Sequence, residues 1–390
     1  MPPAPPLHPA GRVRAIDWLR GLSVIFMIEC HALVFLRPEL ELSAFWINLQ
    51  NVNGLVSTAF LFASGFAGGL VGARAAKDGA TRRRRTRRTF LRLAEVVAVA
   101  MYFNYVSRPV IRRPVTLLRV DILMCIAYGV VIVWAVLNLS RGRNRAAVAV
   151  LATLSLAVLA ATPWAAGYHG AEWLTGLLNN TTPLNGVSGS MFPLFPWLVY
   201  PLLGAAFGIL TAHPTAGRAR LAWATGSLVV VCAALSLPPL ADRVWGPLET
   251  QGSLFWTSNA VERLWKLNAL IFVLLTIEHF AAPLAGTVVP RLLRPIDRVL
   301  DYFSRHALTG YFAHLSLLYG IAGFTFVNAW HHASTWGQFA WRMPLMIAGT
   351  AALCYVGHVA RRSLEDDLRA YAAKRKVARP VPSPGTPGEG

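Results

Sequence analysis

The sequence predicts an all-α, polytopic membrane bundle of about ten transmembrane helices with both termini in the cytoplasm. Three observations carry this expectation. Of 390 residues, 55% are hydrophobic and only 14% are charged, against about 25% charged in a soluble domain. The apolar residues come in blocks of roughly 20, the length a helix needs to cross a bilayer. With the N-terminus placed inside, 28 of the 37 Lys and Arg residues fall in inner connections or at inner helix ends, the bias that orients membrane helices.

In chain order the expected spans are 16–36, 53–73, 89–106, 117–139, 146–164, 193–211, 220–238, 264–282, 307–327 and 341–360. Glu95 and Asn104 interrupt the third. Pro193, Pro196 and Pro201 predict a kinked or broken sixth. Residues 1–11 read as a disordered proline-rich segment, 12–362 as the membrane domain, and 363–390 as a basic tail that is Pro/Gly-rich from Val377. Met1–Ala10 lacks a signal peptide's pattern, and the run after it holds Glu29 and His31 without a small-residue cleavage site, so the first span is retained. The net charge of +19 sits between apolar blocks. It therefore reads as topology and not as a nucleic-acid surface. The run Arg82–Arg85 with Arg87 and Arg88 anchors the inner face and suits anionic lipid. Cys30, Cys125, Cys232 and Cys354 all lie in apolar segments and form no C-x-x-C pair. They predict neither a disulfide framework nor a metal site.

Ionisable groups inside spans are costly, so each is a functional candidate. They are Glu29, His31, Glu95, Asp121, Glu278, His314 and His358; Glu95, Glu278 and His358 read as structural. The first span is the most informative. Arg20 and His31 are eleven residues apart, so they share a helix face and lie about 16 Å apart along the axis. Asp17 falls on nearly the same stripe, while Glu29 points almost oppositely. Gly21 removes a side chain beside Arg20, leaving room for a ligand or another helix. A guanidinium at the inner edge suits the phosphates of a long anionic donor, and an imidazole deeper in suits a general base. The same residues also fit a membrane anchor paired with Asp17 and an interhelical hydrogen-bonded histidine.

The stretch Arg12-Val-Arg-Ala-Ile-Asp-Trp-Leu-Arg-Gly21 followed by His31 resembles the opening of the transmembrane acyltransferase superfamily. That group includes the acyltransferase-3 family and the bacterial relatives of heparan-α-glucosaminide N-acetyltransferase. Phe60–Phe66, Arg119–Met124, Phe192–Gly204 (Phe-Pro-Leu-Phe-Pro-Trp at its start) and Ser304–His314 resemble later segments of the family, in the same order. The resemblance implies a membrane enzyme that moves an acyl group, usually acetyl from acetyl-CoA, to a carbohydrate on the far side of a bacterial inner membrane. The animal heparan enzymes carry a functional histidine in the loop before the second span. Here Trp46–Gly54 has none, so that chemistry does not carry over, and heparan itself is not the expected acceptor.

On this reading His31 is the general base, with Asp121 and His314 as further catalytic candidates. Arg20, Asp17, Arg305 and Tyr311 are expected to hold the acyl-CoA donor. Asn51, Asn53, Ser64 and Trp197 are expected to face the acceptor, which the aromatic and amide-rich outer loops 164–192 and 237–263 also suit. No metal is required. The expected partners are membrane lipid, acyl-CoA and a glycan, with a homodimer left open. A multi-spanning transporter of a polar solute or glycolipid is the competing class, although no internal repeat supports it.

Overall fold

The computed structural model describes residues 13–41, 43–74, 79–106, 119–166, 190–212, 217–235, 260–281, 288–321 and 325–377, with 168, 170, 174 and 177–178 described singly. These residues form helices α1 Arg14–Ala32, α2 Ala44–Arg74, α3 Gly79–Val106, α4 Ile122–Leu139, α5 Asn144–Ala166, α6 Leu194–Trp197 and α7 Val199–Thr211. The second half adds α8 Gly217–Leu235, α9 Ala260–Ala281, α10 Val288–Arg305, α11 Ala307–Leu318 and α12 Trp336–Val377. No strand occurs among the described residues; a single bridge joins Leu36 to Ser334.

Seven of these segments are long and apolar enough to cross a membrane: α1, α2, α3, α4, α5, α6–α7 together, and α12. The protein is an integral membrane helical bundle. The expected 220–238 and 264–282 spans fall on α8 and α9. The expected 307–327 span is shorter than the sequence suggested. Its helix stops at Leu318, and Gly320 at φ 65° turns the chain into a 3-10 segment at Thr325–Trp330. The sixth span is broken where the prolines predicted, at the non-helical Phe195 between Pro193 and Pro196. α12 continues without interruption through the expected 362/363 boundary to Val377.

The first helix is fixed at its start by two distant acidic residues. Val13 offers no side-chain cap, and the Glu278 carboxylate of α9 instead accepts the Ala15 amide at 2.9 Å. Asp297 of α10 accepts from Arg14 Nε and Trp18 Nε1, both at 2.8 Å. Glu278, expected to be structural, therefore caps a helix end. Glu95 of α3 pairs with Arg361 of α12 at 3.2 Å.

The most extensive pairing among the described helices is α2 against α7, and glycine sets it. A Cβ on Gly65 would lie 1.9 Å from the Pro201 carbonyl oxygen, and one on Gly69 would lie 2.0 Å from that of Ala205. The contact is reciprocal: Gly204 and Gly208 would meet the carbonyls of Phe62 and Phe66 at 2.1 and 2.2 Å. Lipid tails are as apolar as leucine, so membrane helices associate through such close packing and not by escaping water. Gly21 obeys the same rule. Its missing side chain admits the backbone of α10 at Leu300, whose carbonyl would lie 2.3 Å from a Cβ. Helix, and not ligand, occupies that space.

Gly69→Ala should lower the thermal midpoint of the detergent-solubilised protein, because a methyl group must displace a carbonyl, an overpacking cost of about 1–3 kcal/mol or more. Gly54→Ala is the control, since nothing lies within 4 Å of its absent Cβ. Helix propensity there favours alanine by up to about 1 kcal/mol. Unfolding followed by intrinsic fluorescence tests both, and equal midpoints for the two variants would remove the glycine contact as the organising interface.

Candidate active site

The deep polar chemistry gathers at two histidines brought together from opposite ends of the chain. His31 sits in the last turn of α1, and His314 is fully buried in the middle of α11. Their ring centres are 5.1 Å apart, and His314 Nε2 lies 3.4 Å from His31 Nδ1. Each ring also bonds its own helix one turn back, His31 Nδ1 to the Met27 carbonyl and His314 Nδ1 to the Gly310 carbonyl, both at 2.8 Å.

These contacts assign the tautomers. A carbonyl oxygen only accepts, so Nδ1 carries the proton in both rings and the lone pairs lie on Nε2. The His314 lone pair faces back toward His31 Nδ1–H. His31 Nε2 makes no hydrogen bond among the described residues and is free to take a proton. The positive charge that results is stabilised by Met27 O and His314 Nε2 on the ring's other side. This is the logic of a base oriented by a third group.

A hydroxyl and two charged groups, Asp121 and Arg119, stand behind the pair. Tyr311, one turn before His314 on α11, is buried, with its ring edge-on to His314 at 5.6 Å. Asp121 and Arg119 act on its hydroxyl electrostatically. The Asp121 carboxylate caps α4 by accepting the Met124 amide at 2.7 Å, a favourable place for a negative charge. It bears on the histidines through Tyr311, without a hydrogen bond to either ring. Glu29 lies on the other face of α1, where its buried carboxylate adjoins the Asn53 side chain of α2. Both Glu29 oxygens and both Asn53 amide atoms complete no hydrogen bond.

The second feature is a cavity of about 620 Å³ at the opposite end of α2. Its inner end reaches Ser64, Gly65 and Pro201; its outer rim is Arg85 and Thr86 of α3 and the α4–α5 turn Ser140–Asn144. Two consecutive left-handed residues, Arg141 at φ 46° and Gly142 at φ 81°, tighten that turn so that Arg141, Arg143 and Asn144 all border the space. Arg85 reaches across to the Gly72 carbonyl at 3.1 Å. Trp134 forms a wall and directs its N–H to Thr86 Oγ1 at 3.4 Å. Gly68 and Gly72 keep the α2 side bare. The result is an apolar slot with cationic and hydroxyl groups at its rim.

The sequence matches the model of the family described as heparan-alpha-glucosaminide N-acetyltransferase, catalytic, over residues 12–240. The chain belongs to this family. Searches of curated proteins and of solved structures find no match. The matched region contains α1 through α8, including His31, Asp121, Ser64 and the whole cavity. His314 and Tyr311 lie beyond it. Membership assigns acetyltransferase chemistry to the chain.

Within this acetyltransferase the expected site residues separate into groups. His31, His314 and Tyr311 come together, with Asp121 behind them. Arg20 donates Nη2 to the Ala63 carbonyl at 3.2 Å, next to Ser64 at the inner end of the cavity; Asp17 lies one turn earlier on α1. The Ser64 hydroxyl bonds the Leu61 carbonyl at 2.7 Å. Arg305 is away from both features: it pairs with Asp301 on its own helix and is largely exposed. Trp197 is buried in the bundle, with the Arg263 guanidinium over its ring at 5.2 Å. Asn53 adjoins Glu29, while the Asn51 side chain lies outside the described residues, as do most of the 164–192 and 237–263 loops. Among the described residues no cluster of three or more metal-ligating side chains occurs. The cavity-lining Arg85, Arg141 and Arg143 were read from the sequence only as charge at helix ends. Their signal was positional: two basic runs at the ends of adjacent hairpins on the same side of the bundle.

The tautomers can be checked directly. Protein labelled with ¹⁵N-histidine should show His31 and His314 in the Nδ1–H form, with both signals identified by their loss in His31→Ala and His314→Ala. Nε2–H signals from His31 would remove it as a ready base.

Proposed function

We propose that this acetyltransferase takes an acetyl group from acetyl-CoA at the arginine-rich, cytoplasmic end and passes it to a hydroxyl or amine of an extracytoplasmic glycan, with His31 as general base. The observation that carries the reading is the arrangement along α1 and α2. The basic-rimmed cavity stops at the level of Arg20 and Ser64, and the histidine pair lies eleven residues further along α1. That is about 16 Å at 1.5 Å per residue, a gap for the arm of an extended donor to cross. Arginine forks and the α5 N-terminus suit the donor's phosphates. Trp134 offers a face for an adenine ring.

The acceptor oxygen or nitrogen attacks the thioester carbonyl carbon while His31 Nε2 takes its proton. The C–S bond then breaks, and the proton returns to the departing thiolate as CoA–SH. Tyr311 is the available hydroxyl for the developing oxyanion. Such transfer needs a water-poor site. The loop backbone at His332–Ser334, bonded to Val34 and Phe35 just beyond His31, supplies a cover.

Substitutions at the cavity rim and at His31 separate donor binding from chemistry. Arg85→Ala and Arg143→Ala should each weaken acetyl-CoA binding by about tenfold or more, since a hydrogen bond to a charged group contributes about 1.5–3 kcal/mol. His31→Ala should bind acetyl-CoA normally and release CoA at about a hundredth of the wild-type rate or less. His31→Gln should not rescue it, because an amide cannot take the proton in this role. Calorimetry on purified protein and acceptor-dependent CoA release in proteoliposomes provide the readings. Solute flux without acetyl-CoA, together with unchanged donor affinity in both arginine variants, would replace the enzyme with a transporter.

A further inference from the structure

The outer end of the histidine helices carries a rigid aromatic and cationic surface that the reaction does not use. Arg342 of α12 lies against two indoles, 5.1 Å from the Trp330 ring centre and 5.3 Å from that of Trp341, and the two rings meet edge-on at 6.0 Å. Its Nη1 bonds the Ser334 hydroxyl. Trp341 is half-exposed, while Trp330 rests edge-on against the buried Phe35 at 5.5 Å. Phe35 is one turn past His31.

The loop that carries Trp330 is held to both histidine-bearing segments. The His332 amide bonds Val34 O at 2.9 Å, the Ser334 amide bonds Phe35 O at 2.8 Å, and the Arg37 amide bonds Ser334 O at 3.1 Å. On the other side, His331 Nε2 donates to the Leu318 carbonyl at 2.9 Å, four residues past His314. The left-handed His332, at φ 52°, makes the bend between these attachments. The surface is thus fixed in place relative to the base: Trp341 meets Trp330 at 6.0 Å, and Trp330 meets Phe35, four residues past His31.

We propose that the exposed face of Trp341, backed by Arg342 and Trp330, is a remote sugar subsite for the acceptor. It would hold a saccharide unit beyond the one that receives the acetyl group. The inference rests on the acetyl-transfer reading above and adds to it an oligosaccharide acceptor. The chemistry fits a sugar. An indole face packs against the C–H face of a pyranose, and a guanidinium beside it suits the sugar's hydroxyls. Because the three side chains already pack against one another, binding orders little that is mobile. A tryptophan serving only as a membrane-interface anchor has no need of a guanidinium backing or of attachment to the catalytic helices.

The test compares glucosamine with its β-1,4-linked trimer, each with acetyl-CoA, on wild type and Trp341→Ala in nanodiscs. Wild type should prefer the trimer in kcat/KM. The variant should lose about tenfold of that value for the trimer, as expected for one lost aromatic contact of about 1.4 kcal/mol. It should keep the glucosamine value and the acetyl-CoA affinity, and Trp341→Phe should recover part of the loss. Equal losses on both sugars, no loss on either, or no trimer preference in wild type would each overturn the subsite. Trimer binding is also measured alone by calorimetry. Binding weakened by Trp341→Ala supports the subsite even where no CoA is released, which would count against the acetyl-transfer reading instead. Absence of binding to wild type overturns the subsite.

Discussion

Everything in this bundle depends on two helix backbones touching. Gly65 and Gly69 of α2 meet Gly204 and Gly208 of α7 with no side chain between them. That contact fixes the axial register of α2, because a shift by one residue would drive Phe66 or Leu70 into the Pro201–Ala205 backbone. The same helix carries a second glycine pair, Gly68 and Gly72, offset by three residues from the first. It faces α4 and the basic cavity, not α7. One stripe therefore locks the helix, and its neighbour keeps a slot open beside it. α1 is then set against α2 by Arg20 on the Ala63 carbonyl, and α10 closes on α1 over Gly21.

The treatment of polar groups explains why the histidines are available for chemistry. Without water, each buried hydroxyl must find an acceptor. Ser23, Ser155, Thr162, Thr211, Ser316 and Thr350 all find it in the carbonyl one turn back on their own helix. His31 and His314 do the same with Nδ1. A hydroxyl is left with no further reactive lone pair of useful basicity, whereas an imidazole keeps a second nitrogen. The local rule that makes serine harmless in a membrane helix thus fixes each histidine by Nδ1 and leaves Nε2 with its lone pair, the state that the proposed base role requires. Glu29, Asn53 and Ser304 depart from the rule, with buried side-chain atoms that complete no hydrogen bond among the described residues, and Glu29 stands two residues before His31.

The parts of this arrangement readable from the sequence were those of local origin. Hydropathy and length found the apolar helices but not the amphipathic α10, prolines found the break before α7, and helical spacing put Arg20 and His31 on one face about 16 Å apart. The order of short motifs from Arg12 to His314 gave the family. What was not readable arises between distant segments. His31 meets His314 across 283 residues, and nothing in either neighbourhood announces the other. The cavity needs α2, α3, α4 and the α4–α5 turn at once, so its arginines looked like ordinary topology signals. Trp197 carried an aromatic's expectation of sugar contact, yet it lies under Arg263 in the core. Gly21 allowed either a ligand or a helix, and only the position of Leu300 decides between them. The length of α11 was overestimated because Phe324–Val327 is apolar, while Gly320 allows the turn that ends the helix.

The two ends of the site obey opposite requirements, and their separation reconciles them. A phosphate-bearing donor needs fixed cations close to water, where arginine is inexpensive to keep charged. A neutral imidazole base needs the reverse, since a nearby cation would hold its proton off. In this chain the arginines ring the cavity at one end of α2, whereas the group that faces His31 Nδ1 is a neutral ring and a carbonyl. The distance along α1 is what lets a single molecule contact both environments. On the proposed reading, the donor's binding groups and its reacting carbon are held by different helices: α3, α4 and α5 for the first, α1 and α11 for the second. The two sets also touch directly, with Phe103 of α3 edge-on to Tyr311 of α11 at 5.8 Å, and the glycine contact of α2 with α7 adds a second, backbone-level link between the ends.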